Sequence, residues 1–171
     1  MSNFNWETTF LNLFDRSLER YRGGDTDVDN YYTDEDLAFL KSIGYKPVEF
    51  FDYVEDIGDG AEISPATAVM IAAVRRDYLA TEQDGNLSDH EIQPSELTPK
   101  DGELGGIRWL PRIIEKANGK LRGELDPDIM YSCGGDRAFL SHHDIHPADF
   151  LRVVWASKGD SDYVLNYVQN H

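Results

Sequence analysis

The sequence contains one cysteine, Cys133. No disulfide can therefore form within the chain, which argues against a disulfide-stapled secreted scaffold and makes a reducing, cytoplasmic setting the expectation. Basic residues are scarce as well: 16 Lys and Arg stand against 32 Asp and Glu, a formal net charge of -16. A field of that sign repels phosphate backbones and anionic headgroups, so neither nucleic-acid nor membrane-surface binding is expected. Long apolar runs are missing too. The longest, Ala66 to Val74, covers nine residues including Thr67, where a membrane span needs ~20. Met1 to Trp6 is polar and has neither the basic nor the apolar region of a signal peptide. Sustained strand alternation is absent, and so are Gly-rich phosphate loops, Ser-His-Asp order and an H-E-x-x-H run, so no motif identifies a cofactor, which stays unknown from the sequence.

What the chain does have is helical spacing almost throughout. Trp6, Phe10, Leu13, Phe14, Leu18 and Tyr21 form one stripe, ended by Arg22-Gly23-Gly24. Thr33-Asp34-Glu35-Asp36 carries a hydroxyl followed three residues later by a carboxylate, the chemistry of a helix N-cap. Lys46-Pro47 and Ser64-Pro65 start two further helices, with proline in the first turn where its missing N–H costs nothing. The stretch 82–106 is polar, with Pro94, Pro99 and four glycines, and reads as a linker with one short helical turn. Helical patterns resume at Trp109 to Lys120, Gly135 to His143, Pro147 to Trp155 and Asp160 to Gln169. The expected class is all-α: a first helical unit over 1–81 and a second over 107–171, joined in one compact domain.

The second unit repeats the first at an offset of 100. Arg22, Gly23, Tyr31, Asp36, Ala38, Phe39, Leu40, Pro47, Phe50 and Val54 each have an identical residue 100 positions on, which makes ten identities across positions 21 to 54. Unrelated sequences of average composition give about two. Asp15 and Arg16 likewise stand opposite Glu115 and Lys116. The matched residues are core positions and helix punctuation, so a structural duplication accounts for them. Two four-helix units about a pseudo-two-fold axis are the expected architecture.

Leu104-Gly105-Gly106-Ile107, followed by Trp109-Leu110-Pro111-Arg112-Ile113-Ile114-Glu115-Lys116-Ala117, resembles the opening motif of the bacterial family known as domain of unknown function (DUF) 5069. Tyr131, Cys133 and Asp136 resemble its next motif. The run Phe139-Leu140, Pro147, Phe150 and Val154 is similar as well, and so is the closing Val164-Leu165-x-Tyr167-Val168. The resemblance covers residues 104–171, and departs from the family at Gly134-Gly135. It implies a small helical bacterial protein and brings no activity with it.

Three sets of residues are candidates for chemistry. Cys133 precedes a helix start, where open backbone N–H groups favour a thiolate or hold an anion; Asp136, His142, His143, Asp144 and His146 follow closely. The catalytic candidates are therefore Cys133, Asp136, His142 and His146, and the same cysteine with the histidines is a weaker transition-metal candidate. Asp25-x-Asp27-x-Asp29, continued to Asp36, puts oxygens at several calcium-loop positions but has Asn30 where glycine is wanted. Arg112, Arg122 and Arg137, with Tyr131, are candidates for an anionic ligand or a partner's carboxylates. The leading expectation is a non-catalytic binding or regulatory module, acting through a groove between its units on a protein or small molecule. The alternatives are a thiol- or metal-dependent enzyme centred on Cys133 and a calcium-binding protein.

Overall fold

The computed structural model describes residues 3–171; Met1 and Ser2, the start of the polar stretch read for a signal peptide, lie outside the described residues. The chain forms two compact units, Met1–Arg76 and Asp77–His171. It is predominantly helical, with α1 (Trp6–Arg22), α2 (Asp34–Ser42), α3 (Pro47–Gly58), α4 (Pro65–Thr81), α5 (Leu110–Arg122), α6 (Gly134–His142), α7 (Pro147–Ser157) and α8 (Ser161–Gln169). Among the described residues no helix is long and apolar enough to cross a membrane. Helices α2 and α6 begin and end 100 residues apart, and so do the starts of α3 and α7.

In the first unit α1 packs on α3 through an aromatic cluster. Phe50 lies 4.9 Å from Phe10, 5.7 Å from Phe14 and 5.9 Å from Tyr32, centre to centre. Phe10 and Phe14 are spaced at i, i+4 along α1, so one helix face supplies a continuous apolar stripe. Helix α2 is opened by a reciprocal cap: the Asp36 N–H donates to Thr33 Oγ1 (3.3 Å), and the Thr33 N–H donates to Asp36 Oδ2 (3.0 Å).

In the second unit α5 packs on α7, and α7 on α8. Two features differ from the sequence expectation. The stretch 82–106, read as a linker, folds with this unit: the Ile92 N–H donates to Glu124 O (2.7 Å), Thr98 donates through both N–H and hydroxyl to Glu115, and Leu97 is buried. A small antiparallel hairpin also forms, β1 (Glu103–Leu104) with β2 (Ile107–Arg108), where no strand was expected. Its turn residues Gly105 and Gly106 both take positive φ, +58° and +81°, which two glycines adopt without strain.

Each unit holds a carboxylate kept below its usual range. Burial alone raises Asp36, but the Arg16 guanidinium and the Thr33 donors more than offset it. Burial likewise raises Glu124, and hydrogen bonds from Arg122 and Ser88 lower it further than burial lifts it. As pH falls, the unfolded chain therefore binds protons first. The stability these groups contribute is full above their unfolded values, about 3.9 for Asp and 4.3 for Glu. It is lost as pH falls through the lower folded values. The melting temperature is expected to drop between about pH 5 and pH 3, and Asp36→Asn should flatten that slope. Thermal melts across this range check it.

Candidate functional site

The side chains with most chemical potential converge at the start of α6 in the second unit. Cys133 is the N-cap residue and its side chain makes no cap hydrogen bond; Gly134 and Gly135 behind it are exposed. The sulfur, half-buried, accepts from Lys116 Nζ at 3.2 Å. Lys116 comes from the middle of α5, on the face that also carries Ile113, Ala117 and Leu121, so helical spacing drives its stem into the core. Its ammonium also pairs with Asp136 Oδ2 at 2.5 Å, with side-chain exposures of 5% for Lys116 and 0% for Asp136.

Asp136 is a hub. Besides Lys116 it accepts from Trp109 Nε1 on Oδ1 (2.9 Å) and from the Ser132 N–H on Oδ2 (2.9 Å). Among the described residues five non-glycine residues have positive φ, and two of them, Trp109 (73°) and Ser132 (65°), donate to this carboxylate. For a bulky side chain that conformation is unfavourable and persists only where the surroundings over-determine it. The surroundings here are the Asp136 bonds and Gly135. A Cβ on Gly135 would come within 2.8 Å of Trp109 Cζ2, so glycine is what lets the indole lie across the start of α6. Tyr131 is buried next to this frame and donates its hydroxyl to Pro147 O (2.8 Å). Burial, and secondarily the Asp136 carboxylate, push its phenol well above the usual range, so it stays a neutral donor. Arg137 Nη1 donates to Ser132 O (2.6 Å), bracing the same loop.

At the positions 100 residues earlier the first unit also pairs a cation with a carboxylate, but with other chemistry. Arg16 Nη2 donates to Asp36 Oδ1 (2.8 Å), as Lys116 does to Asp136, but Arg16 has 59% side-chain exposure. The N-cap there is Thr33, whose hydroxyl donates to Asp36 Oδ2 (2.9 Å). A solvated cation and a hydroxyl thus stand where the second unit has a buried ammonium and a thiol.

Most of the remaining candidates make their contacts elsewhere. His142 ends α6, about 12 Å along the helix from its start. His146 is the N-cap of α7, its Nδ1 accepting from the Ala148 N–H (3.2 Å). His143 is held below the usual histidine range by burial and then by His142. Cys133 and Asp136 therefore come together, but with Lys116, Trp109 and Ser132 in place of the histidines. The three arginines do not converge. Arg112 and Arg122 sit about 15 Å apart on α5, with Arg112 donating to Thr98 O (2.7 Å) and Arg122 paired with Glu124 (2.6 Å). Asp25 accepts from Arg20 (2.5 Å), Asp27 from Asn30 (2.8 Å) and Asp36 from Arg16 and Thr33. Among the described residues no group of three or more His, Cys, Asp or Glu side chains is placed to hold a metal ion.

Sequence reasoning missed Lys116, Trp109 and Ser132. A signal for Lys116 was available, since it occupies an apolar position of the α5 stripe. None marked Ser132, whose contact is made by its backbone.

The family model described as Domain of unknown function (DUF5069) matches residues 97–171. The matched segment begins at the buried Leu97 and contains the whole Cys133 cluster. No curated protein and no solved structure matches the chain.

Proposed function

We propose that this protein is a non-catalytic regulatory module whose responsive element is the Cys133 thiol of its second unit. The observation that supports this most is the buried Lys116 ammonium 3.2 Å from a sulfur that is itself only half-buried. Anything added to that sulfur disturbs a partner of a buried charge, and a buried charge that loses partners is costly. The disturbance has a physical route outward. Lys116 shares Asp136 with Trp109, and Trp109 opens α5 directly after the hairpin, its N–H donating to Gly102 O (3.0 Å). The first unit, with Thr33 and the solvated Arg16, is on this reading a diverged copy of the same frame without the responsive group.

The same Lys116–Cys133 contact also favours a second reading, a small thiol-dependent enzyme, since an adjacent cation activates a nucleophilic sulfur. It ranks lower because the histidines make their contacts elsewhere: His142 ends α6, and His146 caps α7 through its Nδ1. Among the described residues no histidine hydrogen-bonds the sulfur to serve as its general base.

The test is alkylation of the native protein with iodoacetamide followed by a thermal melt. Cys133 is expected to label without denaturant, and the labelled protein to melt lower by a few degrees, as a loss of about 1 kcal/mol gives for a chain of this size. Labelling that requires denaturation, or an unchanged melting temperature, would sink the regulatory reading.

A further inference from the structure

Resting on that reading, we infer that Cys133 and Lys116 form a reversible covalent sulfur–nitrogen link when the protein meets a peroxide. Cys133 is only partly buried, which leaves a small oxidant a way in, and the first product of its oxidation is a sulfenic acid. In this step the thiol sulfur is oxidised by two electrons, the peroxide O–O bond breaks, one oxygen stays on sulfur and the other leaves as water. A sulfenic acid ordinarily condenses with a second thiol, and this chain has none. The nucleophile in reach is the Lys116 nitrogen, 3.2 Å from the sulfur and fixed there by its own burial.

The proton inventory closes within the cluster. Lys116 passes one proton to Asp136 Oδ2, 2.5 Å away, and becomes an amine. The amine attacks sulfur, the S–N bond forms and the S–O bond breaks. The departing hydroxide takes the second nitrogen proton and leaves as water. Starting from thiol, ammonium, carboxylate and peroxide, the products are the sulfenamide, a neutral Asp136 acid and two waters. A buried ion pair is thereby exchanged for two neutral groups, which removes the cost of holding two charges out of water.

One further observation fits the transient oxygen. The Ser132 hydroxyl, one residue before the sulfur, is fully buried and has no hydrogen-bond partner. Its backbone N–H binds Asp136, which fixes the residue beside the cluster. The first unit lacks the chemistry at both positions, having Thr33 and Arg16.

The experiment is peroxide titration of the full chain, read by intact mass and peptide mapping, with a thiol reductant added at the end. The expected product is lighter by two hydrogens, joins the Cys133 and Lys116 peptides, and returns to the starting mass on reduction. Lys116→Arg, which keeps a cation on Asp136 as Arg16 does on Asp36, should lose the linked species and accumulate oxygen adducts instead. Lys116→Met should do the same, which guards against a peculiarity of arginine. A wild-type protein that gains oxygen at Cys133 without linking overturns this inference and leaves the regulatory reading standing. A link that persists in Lys116→Arg, through a backbone nitrogen, overturns it too. If Cys133 in the native protein reacts neither with peroxide nor with iodoacetamide, both readings fall together.

Discussion

Asp136→Ala is expected to destabilise the protein by about 3–5 kcal/mol, the usual cost of breaking a buried ion pair by removing one partner. The substitution leaves the Lys116 ammonium, 5% exposed, with only the sulfur as acceptor. It also takes the acceptor from the Trp109 indole and from the Ser132 N–H, both held at positive φ by these bonds. Asp36→Ala in the first unit is the control. Arg16 stays solvated there at 59% exposure, so the loss reduces to that of a helix cap, about 1 kcal/mol. Urea unfolding of the two variants separates these cases. Equal midpoint shifts would mean that the Lys116–Asp136 pair is no more buried in effect than its counterpart. The double variant Lys116→Met/Asp136→Leu should cost less than Asp136→Ala alone, because removing both charges leaves none unpaired.

The second large effect belongs to the first unit. Phe50 is fully buried and has ring contacts with Phe10, Phe14 and Tyr32. Phe50→Ala removes a whole ring from a cluster whose members come from α1, α3 and the segment before α2. It is expected to cost about 3–5 kcal/mol, the range for deleting a large aromatic from a core. Phe50→Leu, which refills most of that volume, should recover more than half of the loss in the same denaturation experiment. A loss below about 1 kcal/mol for Phe50→Ala would contradict the packing described.

The helices were legible because their signals are local. Thr33 with Asp36, and proline at 47, 65 and 147, mark helix starts by their own backbone chemistry, and each helix begins there. The hairpin was not legible as strand, since two residues on each side establish no period; only Gly105-Gly106 announced a tight turn. The stretch 82–106 looked like a linker because single apolar residues among polar ones tie it down: Leu97 is buried, and the half-buried Ile92 bridges Leu125 through its backbone. The site was half legible. Cys133 and Asp136 stood out by type and by their place at a helix start. The histidines drew attention by proximity in sequence, but α6 carries His142 away from the sulfur, and Pro147 fixes His146 in the next cap. Lys116 was legible only from its place in the apolar stripe of α5, against the usual solvation of a helical lysine.

The most direct test of the central claim is the side-chain nitrogen signal of Lys116 in lysine-labelled protein, assigned with Lys116→Arg, before and after alkylation of Cys133. The expected result is an ammonium whose protons exchange slowly with water, set apart from the exposed lysines, and whose signal moves when the sulfur is alkylated. A Lys116 signal that coincides with those of solvated lysines and does not respond to alkylation would contradict it.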